Sequence, residues 1–126
     1  MTVLYSIVIP VFNEEGNIVE LLHEIQRTIA PFKTYEIICV DDHSTDRTFE
    51  LLNKTKDKIA HLRILQHQHR SGQSTALRTG FLHAKGKIII TLDGDGQNDP
   101  SNIPDLIVQY KREQCAINLR YTGKTK

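Results

Sequence analysis

The chain has 126 residues, the size of one domain with room for a real core. With 16 Lys plus Arg against 15 Asp plus Glu, the formal charge is +1, so nothing electrostatic argues for nucleic acid or an anionic membrane as the main partner. Apolar runs such as Ile88-Ile89-Ile90 fall far short of the roughly 20 residues a spanning helix needs, no basic-then-apolar leader is expected at the N-terminus, and Cys39 and Cys115, each in a strand-like run, read as buried thiols rather than a disulfide framework.

Strand-like and helix-like segments alternate along the chain. Ser6 to Phe12, rich in Val and Ile, reads as a strand that ends at the turn signal Asn13-Glu14-Glu15-Gly16-Asn17. Ile18, Leu21, Leu22, Ile25 and Ile29 then recur at the spacing of one helix face. Tyr35 to Val40 is a second strand, and Asp46 is placed to cap a helix carrying Phe49, Leu51 and Leu52. His61 to Gln66 reads as a weaker third strand, followed by a polar loop and a helix from about Ser74 to Ala84. Lys87 to Leu92 is the fourth strand, Asn102 to Arg112 a helix and Gln114 to Leu119 a fifth strand. Such alternation implies an α/β fold, a mostly parallel sheet with helices on both faces.

The run Thr91-Leu92-Asp93-Gly94-Asp95-Gly96-Gln97-Asn98-Asp99-Pro100 carries the most chemistry. Carboxylates two positions apart on an extended segment point the same way, and the interleaved glycines allow a sharp turn and close approach of a phosphate. Hard cations such as Mg²⁺ and Mn²⁺ take oxygen ligands, with substrate phosphates completing the shell. Three plainer readings compete. A calcium loop of the EF-hand type needs Gly at its sixth position and Glu at its twelfth; counted from Asp93 these are Asn98 and Pro104, and that reading fails. A solvated turn uses the same residue types, and Asp99 or Ser101 can cap the helix that follows, with Pro100 near its first turn.

In an open parallel sheet, ligands bind outside the carboxyl ends of the strands. Every unusual polar cluster of this chain follows a strand: Asn13-Glu14-Glu15, Asp41-Asp42-His43-Ser44, Arg70-Ser71-Gly72 and Asp93-Gly94-Asp95. They are expected to line one edge. Among the other histidines, His43 is weighed between a turn role and a functional one, the His67 and His69 pair lacks a third ligand nearby, and His23, His61 and His83 read as surface residues. Glu15 reads as a first-turn helix carboxylate favoured by the dipole.

Four of these segments carry a family resemblance. Ile7-Val8-Ile9-Pro10-Val11-Phe12-Asn13-Glu14-Glu15, Val40-Asp41-Asp42-His43-Ser44-Thr45-Asp46, Gly72 with Ala76 and Gly80-Phe81, and Leu92-Asp93-Gly94-Asp95-Gly96-Gln97 resemble the signature of glycosyltransferase family 2 in order and spacing. The dolichyl- or polyprenyl-phosphate mannose synthase type is the most similar subgroup. The resemblance implies the GT-A fold, a Rossmann-like sheet, with residues 1–126 as its nucleotide-sugar-binding domain, C-terminally incomplete before the acceptor-binding part.

It also implies roles. The loop from Pro10 through Glu15, with Asn13 in it, borders the base of a UDP- or GDP-sugar, where Glu14 or Glu15 accepts from its N–H groups; Asp42, or alternatively Asp41, accepts from the base edge, since a carboxylate can only accept. Gly72 and Ala76 lie where a larger side chain would collide with the nucleotide. Asp93, Gly94 and Asp95 belong to the nucleotide-sugar site, with Asp93, Asp95 and Gln97 holding Mg²⁺ or Mn²⁺ and Asp95 the catalytic aspartate. Arg120, in Asn118-Leu119-Arg120-Tyr121-Thr122-Gly123, is a candidate for an acceptor phosphate, although Asn118 stands where the family has glycine.

The activity implied is metal-dependent transfer of a sugar, with inversion, from a nucleotide-diphospho-sugar to a polyprenyl phosphate or a glycan in cell-envelope glycan biosynthesis. The setting implied is the cytoplasm, including the cytoplasmic face of a membrane. No residue stands out as a general base, and an ionised phosphate acceptor needs none. The alternatives are a nucleotide-diphosphate-binding fragment without transfer activity and a nucleotidyltransferase, although the latter opens with a glycine-rich basic loop where this chain has Asn13-Glu14-Glu15. A response-regulator receiver has the length and fold class, but its acidic pair follows the first strand rather than the second.

Overall fold

The computed structural model describes residues 3–92, 100, 103–104 and 120–122. Within them run β1 (Tyr5–Val11), α1 (Ile18–Ile29), a 3-10 turn (Ala30–Phe32), β2 (Tyr35–Asp41), α2 (Thr48–Lys56), β3 (Leu62–Gln66), α3 (Gln73–His83), β4 (Ile88–Thr91) and β5 (Arg120–Thr122). Residues 103–104 are helical, as expected there, while the rest of the expected helix to Arg112, the expected strand Gln114 to Leu119 and the Asp99 or Ser101 cap lie outside the described residues.

The strands form one sheet in the order β3-β2-β1-β4-β5, and all four pairings are parallel. Strands buried on both faces need apolar residues at every position. β1 and β2 meet that demand: all seven residues of each are buried, although Ser6, Glu36 and Asp41 among them are polar.

The alternation of side chains sorts the core into two layers. Tyr5, Ile7, Ile9 and Val11 of β1 point with Tyr35, Ile37 and Cys39 of β2 into the larger cluster, where Ile18, Leu21, Leu22, Ile25 and Ile29 of α1 and Leu52 of α2 meet them. On the other face Ile38 and Val40 pack on Ala76 of α3. A Cβ at Gly80 would run into the Val8 side chain, so that glycine sets how closely α3 lies on β1. Burial raises the Cys39 thiol far above its ordinary range, aided by the nearby Asp41 charge, so Cys39 is an inert core residue.

The α3 face also buries an ionic cluster. Ser6 Oγ donates to Glu36 Oε2 at 2.6 Å, and Arg63 Nη1 donates to Glu36 Oε1 at 2.7 Å and to the His83 carbonyl at 2.9 Å. The N–H of Lys85 reaches Glu36 Oε2 at 2.6 Å, and that of Gly86 reaches Ser6 Oγ at 2.8 Å. Every oxygen of the buried carboxylate is engaged. The cluster ties the segment between α3 and β4 to β1, β2 and β3, and so fixes where β4 enters the sheet.

Counting outward, the strand order reverses between β1 and β4, which makes that gap the switch point where open α/β sheets bind ligands. Val8 accepts the N–H of Leu92 at 3.1 Å, so Val8 and, two residues on, Pro10 present the same backbone edge to β4, where Pro10 has no N–H to give. A receiver has the order 2-1-3-4-5, so the observed order removes that alternative.

Candidate functional site

The segments that follow β1 and β2 form one interlocked unit at the carboxyl edge. Asn13 takes a positive φ of 52°, tolerated by this short polar side chain better than by most. Its N–H donates to Ser44 Oγ at 2.9 Å, and its Oδ1 accepts the N–H of Thr45 at 2.8 Å and of Asp46 at 3.3 Å. The N–H of Glu14 donates to Thr48 Oγ1 at 2.8 Å, and that of Glu15 to Asp46 Oδ2 at 3.3 Å. Glu15 Oε1 accepts the N–H of Arg47 at 2.8 Å, so this carboxylate serves the head of α2 and not, as expected, the first turn of its own helix.

Asp46 behaves as the cap the sequence suggests. Its Oδ1 accepts the Thr48 N–H at 2.9 Å and the Thr48 hydroxyl at 2.5 Å from one position before the assigned cap residue, Arg47. Burial works against its charged form, but the hydrogen bonds from Thr48 and the Glu15 N–H outweigh it and hold the carboxyl below its ordinary range. Glu14 differs: Oε1 accepts from Asn17 Nδ2 at 3.1 Å, while Oε2 has no protein partner among the described residues and stays available as an acceptor.

Asp41 and Asp42 are both buried, and they hold different loops. Asp41 accepts the Ser44 hydroxyl at 2.5 Å, the Ser44 N–H at 3.1 Å and Gln66 Nε2 at 3.2 Å, closing the turn after β2. His43 sits in that turn at φ 62°, which assigns it the turn role. Asp42 reaches the other way. Oδ1 accepts His67 Nδ1 at 2.7 Å and the Ser71 N–H at 2.8 Å, and Oδ2 accepts the Gly72 N–H at 2.8 Å. Burial pushes the Asp42 carboxyl up, but the hydrogen bonds from His67, Ser71 and Gly72 prevail and lower it from its ordinary value.

Gly72 is the cap residue of α3, with φ 100° and its carbonyl accepting the Ala76 N–H at 3.0 Å. A Cβ at Gly72 would meet no protein atom within 4 Å, so within the protein it is backbone conformation, not crowding, that requires glycine here. Beside this loop, the Arg70 guanidinium lies 4.0 Å from the centroid of the Phe12 ring, a cation–π contact that joins the ends of β1 and β3.

Of the residues singled out from sequence, Pro10, Asn13, Glu14, Asp41, Asp42 and Gly72 thus meet at the carboxyl edge around the switch point. Asp93, Gly94, Asp95 and Gln97 lie outside the described residues. Arg120 stands in β5, paired with Ile89. Sequence reasoning undervalued His67, weighed only as a metal ligand with His69: its Nδ1 serves Asp42, and its Nε2 lies 2.8 Å from Thr79 Oγ1. Among the described residues, no group of three His, Cys, Asp or Glu is arranged to hold a metal. No described helix is long and apolar enough to cross a membrane.

A parallel sheet in this order, with acceptor-rich loops gathered beside its switch point, defines an α/β protein of GT-A type. The glycosyl transferase family 2 model matches residues 6–124, and the chain belongs to that family. A dodecaprenyl-phosphate galacturonate synthase of Rhizobium johnstonii is 38% identical over 89% of this chain and 34% of its own length. An undecaprenyl-phosphate 4-deoxy-4-formamido-L-arabinose transferase of Edwardsiella ictaluri is 43% identical over 81% of this chain and 32% of its own length. The chain thus spans about a third of the length of these curated relatives. Among solved structures, a mannosyltransferase of Pyrobaculum calidifontis in complex with GDP-Man and Mn²⁺ superposes with a TM-score of 0.74 at 26% identity, covering 84% of this chain and 31% of that one. The TarS protein of S. aureus in complex with UDP-GlcNAc superposes with a TM-score of 0.70 at 26% identity, over 88% of this chain and 32% of that one.

Proposed function

We propose that this chain is the donor-binding part of a metal-dependent, inverting glycosyltransferase that moves a sugar from a UDP- or GDP-sugar to a polyprenyl phosphate or a glycan. The observation that carries the reading is the gathering of Asn13, Glu14, Asp41, Asp42 and Gly72 at the carboxyl edge beside the β1/β4 switch point in a family 2 chain. Both curated relatives are named as polyprenyl-phosphate sugar enzymes, which supports that acceptor class. The nucleotides in the two solved complexes support the donor.

In this reading the base sits against the loops after β1 and β2, where Glu14 Oε2 and Asp42 supply acceptors. Asp93, Asp95 and Gln97, oxygen donors directly following β4, are the ligand set for Mg²⁺ or Mn²⁺. The ion supplies charge neutralisation at the leaving diphosphate. Arg120 is the proposed contact to an acceptor phosphate, with the cytoplasmic face of a membrane as the place of work. A second reading, donor binding without transfer by these 126 residues, is favoured by the share of the relatives that the chain spans.

The test is calorimetric titration with UDP- and GDP-sugars, with and without Mn²⁺. Asp95→Ala is expected to remove the metal-dependent part of binding, and Gln97→Ala to weaken it less, because a neutral amide carries less charge than a carboxylate. Nucleotide binding by Asp95→Ala that still responds to Mn²⁺ as in the parent chain sinks the ligand assignment. Equal losses in both variants point to a local folding role instead.

A further inference from the structure

We propose that His67 is a positioning residue for the nucleotide base: it orients the Asp42 carboxylate and the Ser71–Gly72 turn and, through Thr79, ties both to α3. The inference rests on the proposed donor site and deepens it.

An ionised carboxylate offers about four acceptor positions. At Asp42 three are taken: His67 and Ser71 fill Oδ1, and Gly72 takes one position on Oδ2. One position on Oδ2 remains, and its direction is set by the other three bonds. A base N–H that uses it therefore meets an acceptor already held in place. Ser71 and Gly72 are neighbours within one turn and hold the carboxylate from one side only. His67, at the end of β3, supplies the bond from a different element.

The carboxylate can only accept, so Nδ1 of His67 carries the proton in this bond. Nε2 lies 2.8 Å from Thr79 Oγ1, which is itself 3.0 Å from the Thr75 carbonyl. The ring is thus held at both nitrogens and only 13% of its side-chain surface is exposed. Its own N–H donates to the Asp41 carbonyl at 2.9 Å, and its carbonyl lies 3.2 Å from His43 Nδ1. One histidine therefore links the end of β3 to β2, to the turn after β2 and to α3.

The test uses His67→Phe, which keeps a ring without donors, His67→Asn, whose amide can still donate toward Asp42, and Thr79→Val. Affinities for UDP and GDP are compared with that for inorganic pyrophosphate, all with Mn²⁺, and amide hydrogen exchange of Ser71 and Gly72 is followed without ligand. His67→Phe is expected to weaken the preferred nucleoside diphosphate about tenfold, as loss of a hydrogen bond to a charged group implies, with pyrophosphate unaffected. His67→Asn is expected to recover most of that loss, and Thr79→Val to fall between. Exchange at Ser71 and Gly72 is expected to accelerate in His67→Phe. Should His67→Phe fail to fold, His67→Asn and Thr79→Val carry the comparison. Equal weakening of nucleotide and pyrophosphate, or unchanged nucleotide affinity, overturns the proposal. If the parent chain binds no nucleotide, the donor reading fails separately, and unchanged exchange at Ser71 and Gly72 then overturns the positioning role itself.

Discussion

Glu36 shows at single-residue scale how an ionic group is kept inside an apolar sheet. Burial raises the carboxyl, yet the hydrogen bonds from Ser6, Lys85 and Arg63, with the Arg63 charge, outweigh it, and Glu36 is held below its ordinary value. The folded state then binds fewer protons than the unfolded chain. Its contribution is complete above the ordinary carboxylate range, from about pH 5 upward, and is lost as pH falls through the depressed folded value. Glu36→Gln places an amide N–H₂ against one set of donors and leaves Arg63 without its counter-charge. We expect a loss of about 3 kcal/mol at neutral pH, the lower end for a broken buried pair because the Arg63 side chain is 33% exposed. Urea melts from pH 3 to 7 check this: the difference between parent and variant should shrink towards the acid end, and a constant difference contradicts the assignment. His43 makes a different point: its φ of 62° is a backbone matter, and its ring adds only an exposed contact of Nδ1 with the His67 carbonyl at 3.2 Å. His43→Gly exchanges relief of about 1 kcal/mol of left-handed strain for extra unfolded-state freedom of similar size and should change stability by less than about 0.5 kcal/mol. His43→Val, with a β-branched side chain at that φ, should cost more than about 1 kcal/mol, and equal melting temperatures for the two variants contradict the turn role.

At the scale of elements, what was legible is what periodicity encodes. The sequence places the first strand at Ser6 to Phe12 and the third helix from Ser74, each one residue from the observed Tyr5–Val11 and Gln73–His83, because burial on a strand or helix face repeats locally. The same reasoning marked Asn13 and Asp42 as unusual but not their partners, which are set by strand register across 25 to 33 residues of chain, whereas the cap Asp46, with Thr48 two residues on, was legible. Glu36, inside the expected strand Tyr35 to Val40, is not marked by periodicity. The available signal was its register opposite Ser6, a second polar residue in an otherwise apolar strand, with Arg63 one residue past the Ile37–Leu62 pair. The Asn13 lock between two loops supports a test in which conformation and hydrogen bonding separate. Asn13→Gly keeps the positive φ, loses the amide and adds unfolded-state freedom, and is expected to cost about 2 kcal/mol. Asn13→Ala adds about 1 kcal/mol of backbone strain. Urea unfolding midpoints should fall in the order parent, Gly, Ala; identical midpoints for Gly and Ala would remove the strain from the account.

For the whole molecule, the sheet brings the ends of β1, β2 and β3 and the start of α3 into one site, so a ligand bound there stabilises the fold as a unit. A ligand present at about 100 times its dissociation constant adds roughly 2.7 kcal/mol to the unfolding free energy. With an unfolding entropy of about 2.1 cal/mol/K per residue, a chain of 126 residues converts this into a rise of about 10 °C in Tm. The donor reading divides that rise by ligand: UDP- or GDP-sugar with Mn²⁺ should give all of it, the same nucleotide without metal a smaller part through Glu14 and Asp42, and inorganic pyrophosphate with Mn²⁺ another part through the segment after β4. Asp95→Ala should melt as the parent chain does without ligand, since the substitution removes a proposed metal ligand, and should keep only the metal-independent part of the rise. A parent chain whose Tm moves equally with Mn²⁺ alone and with Mn²⁺ plus nucleotide would be responding to the ion and not to a donor, and the nucleotide-sugar assignment would fall.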